Sequence, residues 1–122
     1  MALDMNPGIR AQWCAALRSG DYQQTTRALR RNDSYCCLGV LCDLAVRAGV
    51  IDDATPARIA SDGEAGRMQY DGTSHYLPRS VQKWAGLSAN DPDVDERRSL
   101  VIVNDAGHSF AEIADLIDGG AS

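Results

Sequence analysis

The chain has 122 residues, 44% of them hydrophobic and 24% charged, which suits one domain with an ordinary core. Its formal net charge of −5 argues against nonspecific binding to a nucleic-acid backbone, which needs a basic face, but not against a small anion held by a few local groups. No apolar run approaches the roughly 20 residues of a membrane span, and Met-Ala-Leu-Asp-Met-Asn lacks the basic and apolar regions of a signal peptide. A cytoplasmic location is expected, where the four cysteines stay thiols rather than disulfides.

The first element opens at Asn6-Pro7, an N-cap followed by a proline at the first helical position. Ile9, Trp13, Ala16 and Leu17 then recur at helical spacing, and Gly20 closes the helix. Trp13 reads as a core anchor or as a stacking platform for a base. Thr25–Leu29 suggest a short strand, returning through Tyr35 after an Asn32-Asp33 turn. Arg27, Arg30 and Arg31 form the densest positive patch of an acidic chain. They are either a solvated turn or a guanidinium clamp for a phosphate or carboxylate.

Residues 37–48 predict the central helix, because they are apolar nearly all round and therefore buried. Gly49 stands where a left-handed C-terminal cap belongs. Asp43 is the odd residue, costly if buried alone. It either pairs with Arg47, four residues on, or forms the polar floor of a pocket. Residues 54–66 read as a loop, with one helical turn near Pro56–Ala60.

Arg67–Leu77 predict a hairpin about Asp71-Gly72, with Met68, Tyr70 and Tyr76 on one face. A short helix follows from Pro78 to Gly86, then a loop over 88–96. Leu100–Val103 is a buried strand or a helical turn, which so short a run leaves open. Asn104–His108 reads as a turn. Ser109 and Glu112 then form a capping box on a last helix, whose apolar face holds Phe110, Ile113, Ala114, Leu116 and Ile117 and whose end is Gly119-Gly120. The expected class is α+β: a buried central helix, two or three packed helices and a small antiparallel sheet in one domain.

Two stretches carry candidate chemistry. Cys36 and Cys37 start the central helix, where the dipole favours a thiolate, and His75 or His108 would supply a base. Against this, cysteine in an apolar run is usually core. The spacing of the cysteines does not suit zinc. Asn104-Asp105-Ala106-Gly107-His108-Ser109 gathers polar groups before a helix N-terminus, either as a turn and cap or as an anion site. No Walker loop, dinucleotide glycine loop, nucleophile elbow or His-Glu-x-x-His motif occurs.

Three segments together carry a resemblance. They are Trp13-x-x-Ala-Leu17-Arg-Ser-Gly20 with Tyr22, Tyr35-Cys-Cys-Leu-Gly-Val-Leu-Cys-Asp-Leu44, and Leu100-x-x-Val-Asn104-Asp-x-Gly-x-Ser109-Phe-x-x-Ile-Ala114. The chain resembles a group of small bacteriophage and prophage proteins in these segments, though not over residues 52–98. The resemblance implies a phage origin and supplies no catalytic residue. Small acidic phage proteins of this kind suggest an anti-defence role. The expectation is therefore an accessory protein that sequesters a nucleotide-derived immune signal, such as a cyclic dinucleotide or a cyclic ADP-ribose isomer. The residues available to it are Trp13, Arg27, Arg30, Tyr70, Tyr76, Asn104, Asp105 and Ser109, by ring stacking and by charge or hydrogen bonding. No cofactor and no metal are expected. A protein–protein inhibitor of a host factor, or a hydrolase using Cys36 or Cys37, are the alternatives, and self-association is left open.

Overall fold

The structure is a computed structural model that describes residues 2–57 and 66–119. Helix α1 spans Pro7–Arg18, capped by the Asn6 side chain, which accepts from the Ile9 N–H at 3.1 Å. Its buried stripe is Ile9, Trp13, Cys14 and Leu17. Helix α2, Cys37–Arg47, is the centre of the core: Cys37, Leu38, Val40, Leu41, Cys42 and Ala45 are all fully buried. Helices α3 (Arg79–Ala85), α4 (Leu100–Asp105) and α5 (Phe110–Asp118) complete the helical part. The capping box at Ser109 and Glu112 and the left-handed Gly119 cap of α5 are both present. Two exposed ion pairs, Arg18 with Asp115 at 2.8 Å and with Asp118 at 2.9 Å, bridge α1 and α5.

The sheet has five short strands: β1 (Gln23–Gln24), β2 (Arg30–Arg31), β3 (Ser34–Tyr35), β4 (Thr55–Pro56) and β5 (Arg67–Gln69). Their order is β1-β3-β2-β5-β4. The fold is thus α+β with a buried central helix, as expected. The sheet is mixed, since β1 pairs with β3 in parallel while the other pairings are antiparallel. Pro56 has no N–H to donate, and it sits on the edge strand, where that costs least.

Several local expectations differ. Thr25–Leu29 is not a strand. It is a bulging connection between β1 and β2 whose last residues, Ala28 and Leu29, are buried. The Asp71-Gly72 turn is real, with φ of 49° and 85° and a Tyr70–Thr73 bridge closed by reciprocal 2.8 and 2.9 Å bonds. It carries no second strand, because β5 already pairs on both sides, with β2 and β4. The Ser74 carbonyl instead accepts from Leu29 N–H at 2.8 Å, and Leu77 N–H donates to Asn90 at 2.9 Å. Tyr70 and Tyr76 consequently share no face: one is fully buried and the other 47% exposed. Leu100–Val103 are helical, and Asn104 and Asp105 belong to the last turn of α4 rather than to the turn after it. Thr55–Pro56 are strand, and the helical turn expected near Pro56–Ala60 falls largely on 58–65, outside the described residues.

Among the described residues, no helix is long and apolar enough to cross a membrane.

Candidate functional site

The site is built on Asn104. This side chain is fully buried at the end of α4. Its Oδ1 accepts from the Cys37 N–H at 3.1 Å and from Gln24 Nε2 at 3.0 Å, and its Nδ2 donates to the Thr25 carbonyl at 2.8 Å. One amide thus joins α4, the first turn of α2, β1 and the β1–β2 connection. The next residue continues the tether: Asp105 Oδ1 accepts from the Arg27 N–H at 3.0 Å. Arg27 is held there at φ 63°, a left-handed conformation that a side chain with a Cβ disfavours.

The result is a cavity of about 180 Å³ lined by Arg27, Ala28, Cys36, His75, Tyr76 and Asp105, with Val101 from α4. Tyr76 is half exposed over it. His75 is fixed by its neighbours, with Nε2 3.3 Å from Arg67 Nη1 and Nδ1 3.2 Å from Ser74 Oγ. A guanidinium can only donate, so in the contact with Arg67 it is Nε2 that accepts. Arg27, an aromatic side chain and an imidazole therefore share one concavity.

Cys36 lines this cavity as a buried thiol. Its Sγ accepts from the Gly39 N–H at 3.4 Å and so acts as the N-cap of α2. Burial pushes its thiol up to about 12, with the backbone N–H groups of the helix start opposing this only in part. Cys37 is likewise held well above the ordinary thiol range by burial, and its S–H faces the Leu100 carbonyl at 3.7 Å. The helix N-terminus favours a thiolate, but desolvation of a buried sulfur is the larger effect.

Of the eight residues singled out in sequence, Arg27, Tyr76 and Asp105 line the cavity, and Asn104 supports it from beneath. The other four lie elsewhere. Trp13 is fully buried and donates from Nε1 to the Cys37 carbonyl at 3.0 Å, so it is an anchor between α1 and α2 and offers no ring to a ligand. Tyr70 is also fully buried and cannot stack a base. Arg30 stacks over Tyr35 at 5.1 Å, and its Nε donates to the Asn32 carbonyl at 2.6 Å. It reaches Asp33 at 3.5 Å and Asp53 at 3.7 Å and points its charge into the β2–β3 turn rather than the cavity. Ser109 uses its hydroxyl to cap α5.

Asp43 is a paired acid. It accepts from the Tyr22 hydroxyl and from Arg47 Nε at 3.0 Å. Burial, then this bond, raises the Tyr22 phenol above its usual range. The Arg47 partner was legible from helical spacing, whereas Tyr22 was not, because it lies 21 residues away in sequence. Ala28 and Val101 carry no sequence signal for a site at all. Among the described residues, no group of three or more His, Cys, Asp or Glu side chains is placed to hold a metal ion.

These features define a small α+β protein with a compact cavity supported by a buried asparagine. The chain belongs to the family described as a domain of unknown function, DUF8296, which matches residues 5–120. No curated protein and no solved structure matches it.

Proposed function

We propose that this protein is a phage-encoded accessory protein that binds and sequesters a small nucleotide-derived immune signal, without turning it over. The observation that carries the reading is the convergence of Arg27 and the exposed ring of Tyr76 on one cavity. A guanidinium and an aromatic face are the two groups that a phosphate and a base require. The phage assignment rests on the resemblance of the three sequence segments.

The size of the cavity narrows the mode of binding. Ligand pockets usually enclose about 300–1,000 Å³, and this one holds about 180 Å³. It accommodates one moiety, a base or a phosphate, with the rest of a cyclic dinucleotide or cyclic ADP-ribose isomer lying outside, across Tyr76. The burial of the Cys36 thiol and its use as a helix cap support sequestration over cysteine chemistry.

The test is a thermal-stability screen against cyclic dinucleotides, cyclic ADP-ribose isomers, NAD and ADP-ribose, with chromatography of the ligand afterwards. A ligand at 100 times its Kd adds about 2.7 kcal/mol, several degrees for a domain of this size. The expected outcome is a shift with the ligand recovered intact, and no shift in Arg27→Ala or Tyr76→Ala. Consumption of the ligand would replace sequestration with catalysis, and no shift with any of them would end the reading.

A further inference from the structure

A second, broader concavity of about 550 Å³ shares no residue with the first. Its apolar lining comes from Leu3, Leu87, Pro92, Val94 and Leu116, and its acidic lining from Asp4, Asp93, Asp95 and Glu96. The walls are tied by backbone bonds. Leu3 N–H donates to the Ile117 carbonyl at 2.8 Å, Val94 N–H to Arg98 at 2.9 Å, and Leu100 N–H to Pro92 at 2.9 Å. The groove is therefore formed in advance of any occupant, which lowers the entropic cost of binding.

The charged residues that line it are all acidic, while the Arg10 guanidinium reaches the Leu3 carbonyl at 3.2 Å from outside the lining. Asp95 is satisfied by Arg98 at 2.8 Å and by the N–H groups of Arg97 and Arg98. Asp4, Asp93 and Glu96 are exposed and, among the described residues, have no ion-pair partner. An apolar lining beside three uncompensated carboxylates repels phosphates, acidic peptides and anionic lipid. A bare cation would leave the leucines without a partner.

We propose that this groove docks a segment of a partner protein that presents apolar side chains flanked by Lys or Arg. The apolar side chains cover Leu3, Leu87 and Leu116, and the cations meet Asp4, Asp93 and Glu96. A volume of this size takes a few side chains of a short segment rather than a whole domain face. The proposal is independent of the nucleotide cavity and stands or falls without it.

The experiment uses the full chain and a short fluorescein-labelled amphipathic Leu/Lys peptide, read by anisotropy, with methyl chemical shifts to locate the contact. The expected result is saturable binding, with the largest shifts at Leu3, Leu87, Val94 and Leu116. Asp93→Lys with Glu96→Lys should weaken it by about tenfold, because close complementary charges set both encounter and retention. Asp21→Lys with Asp52→Lys makes the same change in net charge at exposed positions that do not line the groove. It should leave the Kd within about threefold, because charges beyond a Debye length are screened. Circular-dichroism melts verify that both double variants fold. Equal weakening by the two pairs would reduce the effect to bulk charge and overturn the proposal, as would shifts confined to other residues or no binding at all. Self-association in sedimentation equilibrium, with the same methyls shifting without peptide, would make a second copy the occupant and overturn it too.

Discussion

At the scale of single residues, Asn104 and Arg27 carry opposite kinds of cost. Asn104 satisfies a buried helix-start N–H, a side-chain amide and a carbonyl at once. Asn104→Ala would leave the Cys37 N–H and the Thr25 carbonyl without partners, at about 1–3 kcal/mol for each buried group. A total loss of about 3 kcal/mol is expected in a denaturant melt, together with loss of any ligand-induced shift. Arg27 stores strain at φ 63°. Arg27→Gly relieves a left-handed conformation worth about 1–2 kcal/mol, offset by about 0.5–1 kcal/mol of glycine entropy. Its melting temperature should hold or rise while ligand binding is lost. A variant that loses both would mean that the Arg27 side chain is structural. A non-glycine residue in a strained turn beside a cavity is the pattern expected where binding geometry outranks local stability.

At the scale of elements, α2 is placed by a close backbone approach that its composition does not announce. A Cβ built on Gly39 would stand 1.7 Å from the Leu29 carbonyl oxygen, which itself accepts from the Cys36 N–H at 3.1 Å. The helix start thus lies directly on the β1–β2 connection, the same segment that carries Arg27 and Ala28 into the cavity. Gly39→Ala should cost about 3 kcal/mol or more, since the obstruction is backbone and cannot swing away. Loss of the cooperative unfolding transition would be the readout, and an alanine variant with an unchanged melt would refute the close approach. Glycine in a helix interior ordinarily signals weakness, and here it signals contact. The turn at Asp71-Gly72 teaches the complementary point. Its local chemistry sufficed for the turn, but the pairing of β5 was taken by β2 and β4.

At the scale of the molecule, the cysteines make folding sensitive to alkali. The thiols of Cys14 and Cys36 are raised from 9.0 to about 12, chiefly by burial. Below pH 9 both folded and unfolded chains hold these protons, and the full stability is present. Between pH 9 and 12 the unfolded chain releases them first, so stability falls as pH rises. Urea melts above pH 9 should show a declining midpoint. Cys36→Ser replaces the capping sulfur with an oxygen, at a position serine favours, and removes one of the titrating groups, so the decline should flatten. A steeper or unchanged decline would show that other groups dominate. Thiol reagents should label none of the four cysteines rapidly in the folded protein, since all are buried.

The sequence by itself determined four of the five helices, all but α4, with the caps at Asn6, Ser109 and Gly119, the burial of residues 37–48 and the Asp71-Gly72 turn, and it offered the Asp43–Arg47 pair as one of two alternatives. All of these depend on neighbours within about one or two turns of chain, which spacing and residue type encode directly. Only the tertiary structure decided that Trp13 and Tyr70 are core and Tyr76 is not, that Cys36 caps a helix, and that Arg27, Tyr76 and Asp105 meet while Arg30 turns away. Those outcomes depend on contacts between residues tens of positions apart, such as Asn104 with Cys37 or Leu29 with Ser74. An aromatic or charged side chain has the same letter in a core, a turn or a cavity. Which of these it occupies is settled by desolvation and by the partners that the rest of the chain brings to it.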